Sequence, residues 1–148
     1  NQPFMMYKFR TMQEGTPELP TDLMESHIYC RTTRLGRFLR HTSLDELPQL
    51  INVVRGDMSL VGPRPSLRME HDLIAMRSKL GIQRLRPGIT GWAQINGRDL
   101  IDTETKVALD DFYRTHYSLA MDLEILVKTI AKTVIQEGVL RGDRKPRA

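Results

Sequence analysis

Two adjacent carboxylates, Asp45 and Glu46, are the residues of this chain best suited to carry out chemistry. Ser43 and Glu46 fit the capping-box pattern, which predicts a helix that begins here and continues through Val54. Pro48 is tolerated only in the first turn of such a helix. Acidic residues at a helix start commonly just complement the helix dipole, which stabilises by about 0.3–1 kcal/mol. Taken alone, the pair therefore keeps a structural explanation beside a functional one.

Cations at two other places in the sequence suit phosphate oxygens. The segment 62–65 reads Gly-Pro-Arg-Pro, a rigid turn that holds the Arg64 guanidinium with little conformational freedom. Lys8 and Arg10 alternate along a predicted strand, Phe4 to Met12, so both cations share one face. A structural turn and an ordinary exposed face are the respective alternatives. Together with the acidic pair, these cations favour a site that binds a polyphosphate through a divalent ion.

The elements that must position these residues predict a helix-rich α+β domain with a small sheet. Residues 31–40 place Arg31, Arg34, Arg37 and Arg40 at a spacing of three, which makes one basic stripe on a helix. Further helices are predicted over 66–79, 103–117 and 122–137, and a second strand-like run over 89–95. The expected buried positions are Leu67, Leu73, Ile74 and Met76 in the first of these helices, and Leu123, Leu126, Val127, Ile130 and Val134 in the last.

Composition excludes several classes of protein. The 148 residues contain one cysteine, which rules out an internal disulfide framework. No GxxxxGK[ST] or GxGxxG motif is present, and the four histidines lack metal-ligand spacing. The longest apolar run is four residues, far below the roughly 18 of a membrane-spanning helix. The net charge of +4 is compatible with nucleic acid, anionic lipid or a phosphorylated small molecule.

Four motifs in this order resemble the bacterial sugar transferase family, the monotopic polyprenol-phosphate phosphoglycosyl transferases. They are Lys8-Phe9-Arg10-Thr11-Met12, the run from Thr42 to Val53 (TSLDELPQLINV), the run from Gly56 to Pro65 (GDMSLVGPRP) and the run from Arg86 to Arg98 (RPGITGWAQINGR). The resemblance extends from about residue 3 to 137. It implies a catalytic domain over 1–140, followed by a basic tail over 141–148 that we expect to be disordered.

The resemblance also implies a reaction. A sugar 1-phosphate passes from a nucleotide diphosphate sugar, usually a UDP-sugar, to a polyprenol phosphate, which begins the assembly of exopolysaccharide, O-antigen, capsule or glycoprotein glycan. Asp45 would be the nucleophile of a covalent phosphosugar intermediate, and Glu46, with Asp45 nearby, would hold Mg²⁺. Lys8, Arg40 and Arg64 match positions of the phosphate site. Arg10 is a further candidate for the phosphate site because it shares a face of the predicted strand with Lys8. Arg98 is a looser candidate for contact with the nucleotide or diphosphate.

Family members normally carry an upstream helix that dips into the membrane, and this chain begins with Asn1, just before the first motif. We therefore expect a piece of a longer protein that acts at the cytoplasmic face of the bacterial inner membrane. The basic stripe and the amphipathic helices would contact the membrane surface. The sequence leaves open whether the protein forms a homo-oligomer.

Two other classes of function compete with this interpretation. A nucleic-acid-binding module would explain the isoelectric point of about 9.5 but would leave Asp45 and Glu46 without a role. A catalytically silent scaffold would keep the fold without turnover, yet the acidic pair and its cations are all present. We therefore predict an enzyme that does not use nucleic acid as a partner.

Overall fold

A computed structural model describes residues 2–15, 32–97 and 101–135, with side chains to residue 132. Helix α1 (Arg34–His41) is followed by a 3₁₀ turn (Leu44–Glu46), α2 (Gln49–Arg55) and strand β1 (Ser59–Val61). Helix α3 (His71–Lys79), a second 3₁₀ turn (Ile82–Arg84) and β2 (Gly88–Thr90) come next. The last three elements are α4 (Trp92–Asn96), α5 (Thr103–His116) and α6 (Leu119–Ile135). This helix-rich arrangement with a small sheet confirms the predicted α+β class.

The sheet consists of β1 and β2, which pair in parallel with Ser59 opposite Gly88 and Val61 opposite Thr90. Gly62 and Gly88 sit against each other so closely that a Cβ on either would collide with the opposite backbone. This close backbone approach requires glycine at both positions. Its consequence is that the turn after β1, which carries Arg64, is packed directly onto β2.

The described residues form two apolar clusters. The larger one joins Val61 of β1 to buried side chains of the last three helices, namely Ile95, Tyr113 and Ile125, with Trp92 packed against it. Trp92 also stacks on Phe112 at 5.6 Å between ring centroids. Trp92 therefore contributes to the packing of the core. The smaller cluster consists of Leu73, Ile82 and Val107.

Two strand predictions need correction. Residues 4–12 are extended but form no strand, and Met12 makes only an isolated bridge with Thr32. The backbone of this segment bonds instead to a side chain of α2 and to the 3₁₀ turn, so a regular ladder has no place to form. The second strand-like run ends at Thr90, because Trp92 already begins helix α4.

The predicted helices are present, but their predicted buried faces are less accurate. Helix α3 begins at His71 rather than at residue 66, and Leu73 is buried there whereas Leu67 is exposed. In α6 the predicted buried positions are mostly wrong: Leu126 packs against the larger cluster, but Leu123, Val127 and Ile130 are 54%, 65% and 65% exposed. Ile125, on the opposite side, is fully buried. Apolar residues line both sides of this helix, so periodicity alone selected the wrong one.

Several expectations lie outside the described residues. They are Arg31 of the basic stripe, Arg98, Val134 as a side chain, and the tail 141–148. Within the described ranges, none of the helices has the length and apolar character that crossing a membrane requires.

Candidate active site

Asp45 and Glu46 lie in the 3₁₀ turn Leu44–Glu46, not in the first turn of a longer α-helix. Ser43 adopts a left-handed conformation with φ of 55°, and its side chain makes no capping hydrogen bond, so the predicted capping box does not form. Helix α2 begins only at Gln49, directly after Pro48. A left-handed residue other than glycine is uncommon and costly, and such residues cluster at functional sites.

Lys8 reaches the acidic pair because its segment is tied down on both sides. The Phe9 amide donates to the Asp45 carbonyl at 3.0 Å. Asn52 of α2, which is fully buried, accepts from the Tyr7 amide at 3.1 Å and donates to the Met5 carbonyl at 2.7 Å. Among the described residues no strand pairs with this segment, and one amide side chain holds its backbone instead.

Two cations converge on one oxygen of Glu46. Lys8 Nζ lies 2.8 Å from Glu46 Oε1, and Arg64 Nη2 lies 3.5 Å from the same atom. Burial pushes the pKa of the Glu46 carboxyl upward, but the charges of Arg64 and Lys8 outweigh it and leave that pKa below its ordinary value. Glu46 is therefore held as a carboxylate.

Asp45 is affected in the opposite direction. Burial, followed by the neighbouring charge of Glu46, raises the pKa of the Asp45 carboxyl above its ordinary value, although Lys8 and Arg40 oppose the rise. Two adjacent carboxylates with pKa values moved apart are a common arrangement where such groups have different chemical roles.

Arg40 is brought to this site by the close packing of α1. Gly36 on that helix faces the Thr11 backbone, where any Cβ would collide with the carbonyl oxygen. Arg40, one turn later, donates from Nε to the Thr11 hydroxyl at 2.7 Å. The buried Thr11 therefore links the Lys8 segment to the helix that carries Arg40.

Arg64 is held by backbone contacts on both sides. The Gly88 amide donates to the Pro63 carbonyl at 2.9 Å, and Arg77 Nη1 donates to the Arg64 carbonyl at 2.8 Å. Arg77 itself pairs with Asp110, at 2.9 Å from Nε and 2.5 Å from Nη2 to the same carboxylate oxygen.

The structure brings Lys8, Arg40 and Arg64 together around Asp45 and Glu46. Arg10 instead pairs with Glu14 at 2.6 Å, with both side chains largely exposed. Arg98, the last predicted site residue, lies outside the described residues.

The acidic pair is compatible with Mg²⁺. No group of three or more His, Cys, Asp or Glu side chains suited to a metal occurs in the described part of the chain. Mg²⁺ does not require one, since it is commonly bound by one or two carboxylates together with substrate phosphates and water. A divalent cation would also relieve the repulsion between Asp45 and Glu46 that contributes to the raised pKa of Asp45.

Sequence reasoning missed the polar residues that support this site: Thr11, Asn52, Arg77 and Asp110, all of which are buried. A signal was present for two of them. Arg77 lies four positions after Leu73, and Asp110 three positions after Val107, so each places a charge on the apolar face of its helix. Charges at such positions are buried only when they are paired.

Sequence comparison identifies the class of protein that contains this candidate site. Residues 1–136 match the family model described as bacterial sugar transferase, and the chain belongs to that family.

Three relatives illustrate the similarity. The uncharacterized sugar transferase EpsL of Bacillus subtilis (strain 168) is 44% identical over 138 residues, 93% of this chain and 66% of EpsL. The undecaprenyl-phosphate glucose phosphotransferase of Komagataeibacter xylinus is 42% identical over 144 residues, 90% of this chain and 27% of the relative. The undecaprenyl-phosphate galactose phosphotransferase of Salmonella typhimurium is 39% identical over 147 residues, 90% of this chain and 30% of the relative. The chain thus spans just under two thirds of one relative and less than a third of the other two.

Proposed function

We propose that this protein transfers a sugar 1-phosphate from a nucleotide diphosphate sugar, with a UDP-sugar as the expected donor, to a polyprenol phosphate. The observation that carries the proposal is the pairing of an ionised Glu46, held by Lys8 and Arg64, with a neighbouring Asp45 of raised pKa. The names of two relatives, which describe transfer of glucose and galactose phosphate involving undecaprenyl phosphate, support the class of substrates.

In the first step an oxygen of the Asp45 carboxylate attacks the phosphorus that bears the sugar. The P–O bond of the diphosphate breaks, and the nucleoside monophosphate leaves with the electron pair of that bond. The second step is attack by an oxygen of polyprenol phosphate on the same phosphorus, which releases the Asp45 carboxylate and gives a polyprenol diphosphate sugar. A carboxylate is a known covalent nucleophile toward phosphorus and needs no general base once it is ionised.

The surrounding side chains act on the charge of this reaction. Lys8, Arg40 and Arg64 reduce the repulsion between an anionic nucleophile and an anionic diphosphate. Glu46 and Asp45 would hold Mg²⁺, which, when bound, neutralises phosphate charge and orients the donor. The raised pKa means that burial destabilises the Asp45 anion, so its attack relieves an unfavourable charge.

Asp45→Asn tests the nucleophile. The variant keeps the shape of the side chain but cannot form the acyl phosphate, so we expect loss of nucleoside monophosphate release. With a panel of labelled UDP-sugars and Mg²⁺, mass spectrometry should find a phosphosugar adduct on the peptide that contains Asp45. Asp72→Asn, at an exposed position in the first turn of α3, is the matched control and should behave as the unaltered protein. Normal transfer by Asp45→Asn would overturn the assignment.

Glu46→Gln tests the metal role. The amide is a weaker ligand than the carboxylate, so half-maximal activity should need a higher Mg²⁺ concentration. Titration of Mg²⁺ at a fixed donor concentration measures this. An unchanged Mg²⁺ requirement would contradict the role of Glu46.

We place the protein at the cytoplasmic face of the bacterial inner membrane, with α1 as the contact. Leu35 and Phe38 on this helix are 68% and 58% exposed, and Arg34 and Arg37 are exposed beside them. Exposed apolar side chains next to cations suit an anionic lipid surface, where each cation contributes about 1 kcal/mol. Flotation with anionic but not neutral liposomes, reduced in Arg34→Gln/Arg37→Gln, is the expected result. Equal flotation of the variant would contradict it.

A further inference from the structure

A buried ion pair outside the acidic site joins α3 to α5. Arg77 is 7% exposed and Asp110 is 1% exposed. Arg77 Nε and Nη2 both donate to Asp110 Oδ2, at 2.9 Å and 2.5 Å. A buried pair of this kind is weak evidence for stability, because apolar side chains of similar volume often stabilise as well or better. Its presence calls for another explanation.

The remaining guanidinium nitrogen of Arg77 supplies that explanation. Arg77 Nη1 donates to the carbonyl of Arg64 at 2.8 Å, 13 residues away along the chain. Arg64 in turn places Nη2 3.5 Å from Glu46 Oε1. A chain of contacts therefore runs from the protein interior through Asp110 and Arg77 to the cation beside Glu46.

The contact with Arg77 falls at the peptide group between Arg64 and Pro65. On its other side the turn is held by the bond from the Gly88 amide to the Pro63 carbonyl. Pro63 and Pro65 restrict their own φ angles, and Pro65 also restricts Arg64 to extended ψ values, but this range is broad and does not by itself fix the orientation of the Arg64 carbonyl. The bond from Arg77 does fix it, and with it the direction in which the Arg64 side chain leaves the backbone.

We infer that Arg77, held in place by Asp110, is a positioning residue that directs the Arg64 guanidinium toward the phosphate site. This inference rests on the proposed transferase function, because it assigns the purpose of Arg64 within that reaction. Lysine could not take the place of Arg77, since one ammonium group on a flexible chain does not reproduce the planar fork that serves two acceptors at once.

A double-mutant cycle tests the inference. Arg77→Lys keeps the charge opposite Asp110 but gives up the fork, and we expect kcat/KM for the donor to fall about tenfold. In an Arg64→Ala background the same change should cost less than about twofold, because Arg77 then has nothing left to position. Arg114→Lys, which alters a partly buried ion pair with Asp111 within α5, is the matched control and should leave activity unchanged. Equal losses in both backgrounds would show a purely structural role and overturn the inference.

A second readout does not depend on turnover. The Nε–H signal of Arg64, assigned by its loss in Arg64→Lys, reports the mobility of that side chain through ¹⁵N relaxation. Its heteronuclear NOE should fall in Arg77→Lys and stay unchanged in Arg114→Lys. If Arg77→Lys does not fold, Asp110→Asn, which keeps the shape and one acceptor oxygen, takes its place in both measurements. If the unaltered protein has no transferase activity but the Arg64 relaxation changes in Arg77→Lys as expected, only the proposed function is refuted. If the Arg64 relaxation does not change in Arg77→Lys, the positioning role is refuted.

Discussion

Lys8 and Arg64 contact the same oxygen of Glu46, yet the segments that carry them are built in opposite ways. Lys8 lies on an extended segment without a partner strand, and a neutral amide, Asn52, holds its backbone. Arg64 lies on a proline turn packed against β2, and Arg77 of a buried ion pair holds its backbone. In both cases a buried polar side chain replaces regular secondary structure as the support of a site residue.

The difference lies in what each support costs the fold. Burying a neutral amide whose hydrogen bonds are satisfied costs less desolvation free energy than burying two charges. When one partner of a buried ion pair is lost, the other charge stays buried without compensation. Burial raises the pKa of the Asp110 carboxyl, and the charge of Arg77 opposes that rise. Substitutions in the buried ion pair behind Arg64 should therefore lower the free energy of unfolding more than substitutions of Asn52.

The largest effect should come from Asp110→Leu. Loss of the carboxylate leaves the Arg77 charge buried without its partner, so the free energy of unfolding should fall by about 3–5 kcal/mol. In Arg77→Met/Asp110→Leu most of this loss should be recovered, because no charge is then buried. Urea unfolding of the three proteins measures both numbers. A double variant as unstable as Asp110→Leu would remove the contrast between the two supports.

Asn52→Leu should have a smaller effect on stability. Two hydrogen bonds to the Lys8 segment disappear, which corresponds to a loss of about 2 kcal/mol. Because Lys8 is then no longer held, donor turnover should also fall, and urea unfolding with an activity assay tests both. A fully active Asn52→Leu would mean that the bond from the Phe9 amide to the Asp45 carbonyl is sufficient to hold the segment.

A smaller effect, dependent on pH, is expected at the start of α5, the helix that carries Asp110. Hydrogen bonds from the Thr105 amide, and then from its hydroxyl, lower the pKa of the Asp102 carboxyl. A folded-state pKa below the unfolded value stabilises at neutral pH, and the contribution is lost as pH falls through the folded pKa. Asp102→Asn keeps a capping oxygen but does not titrate. The difference in Tm between the two proteins should shrink from about pH 5 to pH 2; a constant difference would contradict this.

Arg10→Ala should have the smallest effect. The Arg10–Glu14 pair is exposed, and such pairs contribute little, so the free energy of unfolding should change by less than about 0.5 kcal/mol. Turnover should fall far less than in Lys8→Ala, which a side-by-side assay measures. A comparable loss in both variants would restore Arg10 to the phosphate site.

The residues of the candidate site could be named from sequence, but the residues that support them could not. Asp45, Glu46 and Arg64 lie in motifs whose residue types already indicate phosphate chemistry. Asn52 lies in a helix between apolar neighbours, and nothing local states that its amide serves a segment 45 residues earlier. The prediction of the buried face of α6 failed for a related reason, since only tertiary packing decides which of two apolar faces is buried. The capping box failed because Ser43 adopts a left-handed backbone that the pattern does not encode.

The contacts that build the site also have a consequence for the order of folding. Lys8 and Glu46 are 38 positions apart, Tyr7 and Asn52 are 45 apart, and Arg77 and Asp110 are 33 apart. Closing such long loops costs entropy before any contact compensates for it, so the arrangement cannot form locally. A short peptide that contains only Asp45 and Glu46 would have the chemical groups of the site but none of its geometry.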